Sequence, residues 1–200
     1  MHDTKEEKSF AFNTNAKPKV SYAQSSLKTT LLRMSSKLTL AANMRATAEA
    51  LVMAFDGKWT VEAALAPRAE HCVHTSLPAS WGVEPKNNAD WAARFAHVKD
   101  LFVQAKVCRR PRDPIEPAAK YKQMTINDYF GSSEELRAVV RSTLNATTVV
   151  GPYHNEYVWI LSFDESGEKI TAITEFLDTK AVDDLRVRLA EAKIQDDRGH

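Results

Sequence analysis

Tyr153, Asn155 and Tyr157 alternate along one apolar run, Val149–Phe163, and Glu175 sits in the next, Glu168–Asp178. Residues two apart on a strand share a face, so the first three would form a row of polar tips. A phenol can donate a proton to a carbonyl or hold a developing enolate without being ionised. A carboxylate in an apolar cavity becomes a usable acid or base. On an outward face the carboxylate would simply be solvated. Tyrosine rings packed in a core would send their hydroxyls to backbone partners. The facing of these strands therefore separates a catalyst from an ordinary sheet.

Other side chains could join them. Arg68 follows Pro67 at the expected end of a helix. It can cap that helix C-terminus, or it can be a fixed cation that polarises a substrate oxygen or anchors Glu175. His74 shares the side of Cys72 in an extended segment and is a candidate pocket-lining acid or base, with a core or surface histidine as the plainer reading. Trp81, in a Pro-Ala-Ser-Trp-Gly loop, is the tryptophan best placed for a cavity mouth, and Trp59, Trp91 and Trp159 read as core or interface. His71, Cys72 and His74 lack the further convergent ligands a metal site needs, so none is expected. Ser80 has no nucleophile-elbow context, and no phosphate loop or dinucleotide fingerprint is present.

These residues must be carried by some scaffold. The chain has 200 residues, 44% of them hydrophobic and 26% charged, which suits one soluble domain with some length to spare. A formal net charge of +1 gives no basis for a nucleic-acid or membrane-surface partner. The two cysteines, Cys72 and Cys108, lie far apart and fit a reducing compartment. No apolar run is long enough to span a bilayer. Met1–Lys8 has neither the basic start nor the apolar core of a signal peptide, so a cytoplasmic location is expected.

Residues 1–36 are polar and rich in Ser, Thr, Lys and Asn, which predicts a disordered or variable extension. The hydroxyl-rich, acid-free stretch Ser25–Arg45 is transit-peptide-like but distant from Met1, and Met34 is an alternative start. The domain is expected over 37–193, with a flexible tail over 194–200. Ala41, Met44, Ala48, Leu51, Val52 and Phe55 predict a helix over 38–55, and Trp59–Leu65 a second, stopped by Pro67. Cys72–Leu77 reads as extended and Pro78–Pro85 as loop. Asn88 is expected to cap a helix bearing Trp91, Phe95, Val98 and Phe102. Strands are expected over 125–130, 136–147, 156–163 and 169–178, the last two joined by the Asp164-Glu165-Ser166-Gly167 turn, with a closing helix over 183–192. Helices followed by long strands predict an α+β domain, in which the helices pack on one face of a strongly curved antiparallel sheet to make a cone.

Four segments then resemble the SnoaL-like proteins of fungal secondary metabolism, within the NTF2-like superfamily. They are Ala66–His74, Leu77–Gly82, Gly151–Tyr157 and Glu175–Asp178. The resemblance covers roughly residues 38 to 190. It implies an α+β cone, usually dimeric through its sheet. It also implies acid–base isomerase or cyclase chemistry on a polycyclic polyketide, meroterpenoid or alkaloid, without metal or organic cofactor. Residue by residue it would make Arg68, Tyr153, Tyr157 and Glu175 catalytic, and His74, Trp81 and Asn155 substrate-binding. Two departures stand out. Relatives often carry Asp at His71, and several carry His at Arg141, which counts against a dehydratase resting on an Asp–His pair. A non-catalytic binding or dimerisation module is the rival from another class.

Val107–Gln123 interrupts this layout with three prolines and a basic cluster. It reads as a loop insertion, or as a retained intron, since Val107-Cys108 can be encoded by a GTATGT donor and Gln123 by a CAG acceptor. The intron reading predicts transcripts that skip the segment. Reads running continuously through it in every transcript would refute that.

Overall fold

The computed structural model describes residues 22–56, 60–98, 101–102 and 123–198. Of the expected insertion over 107–123 all but Gln123, which opens a strand, lie outside the described residues; of the expected flexible tail over 194–200 only 199–200 do, since the closing helix runs on to Arg198. Two compact units divide the chain, Met1–Ser36 and Lys37–His200. Helix α1 runs Tyr22–Met53, so its start lies well before the expected residue 38, and 22–36 are helical rather than disordered. The polarity of that stretch argued for disorder, yet no Gly or Pro interrupts it, and Ser, Thr and Lys at exposed positions tolerate helix. Its Leu27, Leu31, Leu32 and Met34 are exposed.

Within the second unit, Met44, Ala48, Leu51 and Val52 of α1, with Phe55 just past its end, are buried at helical spacing, while Ala41 is exposed. Helix α2 spans Val61–Leu65, and Thr60 Oγ1 caps it by accepting from Ala63 N at 3.1 Å. Strand β1, Arg68–Leu77, begins earlier than expected, so Arg68 opens a strand. A single 3-10 turn, Ala79–Trp81, interrupts the following loop. Helix α3 is Asn88–Val98 and stops before Phe102. Its cap is Asn87, whose Oδ1 accepts from Asp90 N. Asn88 instead donates to the carbonyls of Ala69 and Glu70, which pins α3 against β1.

Strands β2 (Gln123–Ser132), β3 (Arg137–Thr148), β4 (Gly151–Phe163) and β5 (Ile170–Leu177) form an antiparallel meander, and α4 (Thr179–Arg198) closes the chain. The sheet order is β1-β5-β4-β3-β2. It is not wholly antiparallel: β1 lies beside β5 and parallel to it. The chain leaves β1 at one edge and re-enters at β2 on the other, and three reversals then bring β5 back in the direction of β1.

Alternation along β4 buries Tyr153, Asn155, Trp159, Leu161 and Phe163 and exposes His154, Glu156 and Ile160. The inner face of the sheet thus carries the polar row together with the core, and α1 and α3 supply aromatic and aliphatic side chains opposite it. The β4–β5 turn holds itself together through Asp164, whose Oδ1 accepts from the backbone N of Glu168 and of Lys169. Helix α1 seats this turn: Asn43 donates to the Ser166 carbonyl and Thr47 to the Gly167 carbonyl.

Gly167 has φ +73°, and a Cβ there would stand 2.8 Å from Met44 Cγ. Gly167→Ala therefore combines backbone strain with a clash. We expect it to lower unfolding stability by about 1–3 kcal/mol, measured by denaturant titration.

A cavity lined by Glu175 and two tyrosines

The inward faces of β4 and β5 meet side chains of α3 and α4, and Phe55 just past α1, around a cavity of about 230 Å³. Most of its wall is apolar, with Phe55, Trp91, Phe95, Trp159 and Leu185 prominent. Rings stack within the wall: Trp91 on Phe95 at 4.3 Å and Tyr157 on Trp159 at 5.5 Å between centroids. Trp159 is fixed by donating from Nε1 to Ser142 Oγ at 2.9 Å.

Glu175 enters this wall from β5, paired in register with Trp159 of β4, and Tyr157 pairs with the next inward residue, Leu177. The carboxylate side chain is 15% exposed. Its partner is His74 of β1, almost wholly buried, with Nε2 at 3.1 Å from Glu175 Oε2. Behind His74 stands Arg68, whose Nη2 lies 3.4 Å from Nδ1. A guanidinium only donates, so Nδ1 accepts and the ring proton sits on Nε2, aimed at the carboxylate. Arg68 also donates from Nε to the Ala64 carbonyl at 3.1 Å, and its guanidinium lies 3.9 Å from the centre of the Trp91 ring. Arg68 thus caps the end of α2 and stands behind His74. Burial lowers its pKa to about 10, against the opposing effect of Cys72 and Glu175, so it stays charged at neutral pH. Its Nη1 is buried without an acceptor among the described residues.

On β4 the phenols are coupled. Asn155 Nδ2 donates to Tyr153 Oη at 2.6 Å, and the hydroxyls of Tyr153 and Tyr157 are hydrogen-bonded to one another. Burial raises the Tyr157 pKa well above 10, reinforced by Tyr153 and Glu175. Burial raises Tyr153 also, although its bonds from Asn155 and Tyr157 work against the shift. Both phenols therefore keep their protons through neutral pH, one proton engaged in the bond between them and the other available to a ligand. Asn155 completes its bonds with the backbone of Asp178, accepting from its N at 3.1 Å and donating to its carbonyl at 3.2 Å. Asp178 in turn caps α4 by accepting from Lys180 N.

The structure thus brings Tyr153, Tyr157, Glu175, His74 and Trp81 to one cavity. Arg68 and Asn155 stand behind that wall and do not line it. A buried side chain with both ends already bonded, as Asn155 is, has no group left to offer a ligand. His71 and Glu156 face away, exposed. Among the described residues no three His, Cys, Asp or Glu side chains gather as a metal site. The sequence reading missed Lys86, Arg94 and Arg186, which also line the cavity. Helical spacing held a signal for two of them. Arg94 follows Trp91 by three, and Arg186 follows Val182 by four, which places each beside its helix's apolar stripe. Lys86 lies in a loop and carried none.

No family model matches the chain. Its fold is that of the NTF2-like proteins, and in sequence it resembles proteins of fungal secondary-metabolite clusters. It is 28% identical over 138 residues to a protein of Aspergillus aculeatus named monooxygenase AacuP, covering 69% of this chain and 83% of the relative. It is 29% identical over 170 residues to austinoid biosynthesis clusters protein F of Emericella nidulans, covering 82% and 87%. Among solved structures, PrhC of Penicillium brasilianum superposes with a TM-score of 0.63 at 23% identity, over 77% of this chain and 92% of that one. The pinacolase BvnE of Penicillium brevicompactum gives 0.63 at 21%, over 76% and 94%.

The raised phenols have a consequence for stability. A group that binds its proton more tightly when folded stabilises the protein fully below its unfolded pKa, and that contribution is lost as pH rises towards the folded value. Stability should therefore fall as pH climbs above about 10. Tyr157→Phe should flatten that fall, which thermal melts across the alkaline range will read.

Proposed function

We propose that this protein is an isomerase or cyclase of natural-product biosynthesis that works by acid–base chemistry on a polycyclic substrate held in the cavity. The observation that carries the proposal is the shared facing of Glu175 and the Tyr157–Tyr153 pair into an apolar space, with Glu175 backed by His74. Glu175 takes a proton from a carbon next to a substrate carbonyl, and in the return step delivers it to another carbon. Tyr157 turns its hydroxyl hydrogen from Tyr153 to the carbonyl oxygen while negative charge collects there, and Tyr153, which accepts from Asn155, donates its own hydrogen to the Tyr157 oxygen. His74 donates to the carboxylate and fixes which oxygen faces the substrate. Arg68, behind it, fixes the His74 tautomer and is a positioning residue. Asn155 is another, since it orients Tyr153 and ties β4 to the start of α4. The aromatic wall and Trp81 exclude water and hold one conformer of the substrate. Every step uses side chains of this chain alone.

The pinacolase name of a structural neighbour and the austinoid cluster names of relatives suit a rearrangement of this kind. The proposal takes in polyketide, meroterpenoid and alkaloid skeletons as candidates. We extend the proposal to a cytoplasmic homodimer joined through the outer face of the sheet, where Ile160 and Phe176 are 38% and 48% exposed. Sedimentation of the purified chain reads its mass directly.

The deciding assay incubates the protein with candidate polycyclic ketones and weighs the product. An unchanged mass is expected. Gain of an oxygen atom would instead support the monooxygenase name of the A. aculeatus relative, and loss of water would support a dehydratase. No turnover together with tight binding would favour a carrier. Glu175→Gln should lower kcat by at least about a hundredfold with binding retained, and Tyr157→Phe by about ten- to a hundredfold. Full turnover by Glu175→Gln would remove Glu175 from the mechanism.

A further inference from the structure

Charges around the cavity do not balance. Glu175 faces the buried Arg68 through His74, and Arg186 is held by Asp183 with Nη1 at 3.1 Å from its carboxylate. That leaves Lys86 and Arg94, both lining the cavity and neither paired with a carboxylate among the described residues. Lys86 is fixed in place by backbone bonds in both directions with His74, at 2.8 and 2.9 Å. Arg94 and Arg186 each lie over the Trp81 ring, at 5.9 and 5.0 Å from its centre. The indole Nε1 of Trp81 is buried and has no acceptor among the described residues. Two cations without a carboxylate partner among the described residues, Arg94 exposed and Lys86 half-buried, and an unused N–H donor thus border one largely apolar space. Such a site lowers the energy of an anion entering it and offers little to a neutral molecule of the same shape.

Resting on the reading of the cavity as a substrate site, we infer that the substrate is an organic acid. It is a polycyclic molecule carrying a carboxylate, or an equally acidic enol or phenol. Its anionic group is held by Arg94, Lys86 and the Trp81 N–H, while its apolar body lies against the aromatic wall. Arg94 is a specificity-determining residue that sorts ligands by charge. Held there, the anion also sets which carbon faces Glu175, because the rest of the wall is apolar and gives no direction.

Two dyes of one skeleton test this on the full-length protein. Anilinonaphthalene sulfonate is a fused-ring anion, and N-phenylnaphthylamine is the same body without the charge. We expect both to bind in competition with one another, the sulfonate at least about fivefold tighter, as a partly exposed ion pair of about 1 kcal/mol would give. Raising the salt should weaken the sulfonate selectively. Arg94→Gln and Lys86→Gln should each weaken the sulfonate about three- to fivefold and leave the neutral dye unchanged. Arg45→Gln, on the exposed side of α1, should alter neither. Equal binding of the two dyes, insensitive to Arg94→Gln, overturns the inference and leaves the cavity reading standing. Sulfonate binding that the neutral dye does not displace lies elsewhere on the surface, and it overturns the inference too. If neither dye binds, both this inference and the substrate-site reading fall.

Discussion

A carboxylate set against aromatic rings is costly unless another group meets it, and that constraint organises this molecule. Glu175 meets His74, and His74 meets Arg68. The three residues come from two strands far apart in the chain, and only the parallel pairing of β1 with β5 makes them neighbours. Arg68 then extends the link outward, to the last turn of α2 and to the face of Trp91 on α3. One buried ionic chain thus joins a strand edge, two helices and the cavity wall.

The same wall serves as core and as cavity lining. Trp159 stacks on Phe55 and on Tyr157, so the packing that stabilises the sheet also shapes the cavity. Asn155 ties the phenol pair to the backbone where β5 becomes α4. Conformational freedom at the polar row is therefore low. The donors are held in place before any ligand arrives, which is the arrangement that favours electrostatic stabilisation of a developing charge.

Much of the fold was legible. The strand expectations located β3 and β5 to within a residue, while β4 opens at Gly151, well before the expected 156, and helical spacing located the buried stripe of α1. The Asp164–Gly167 turn announced its hairpin through residue types that suit tight geometry. Boundaries were weaker, because polarity alone does not distinguish an exposed helix from disorder, as Tyr22–Ser36 shows. The parallel strand pair could not be read, since it depends on the path of the crossover and not on the composition of β1. Arg94 and Arg186 were readable as flanking an apolar stripe, yet nothing in a stripe tells whether its neighbour points at a cavity or at solvent.

By itself the sequence determined which side chains share a face, because strand and helix periods are local properties of the backbone. It placed Tyr153, Asn155 and Tyr157 in one row, and Cys72 with His74. Only the tertiary structure decided what each row faces. It set Tyr153 and Tyr157 into the cavity and used Asn155 up in bonds to Tyr153 and Asp178. It turned Arg68 from a neighbour of substrate into a support for His74. It also brought unpaired cations to the cavity with Glu175. Electrostatic partners are chosen by distance in space, and distance between remote segments is fixed only when the sheet closes its order.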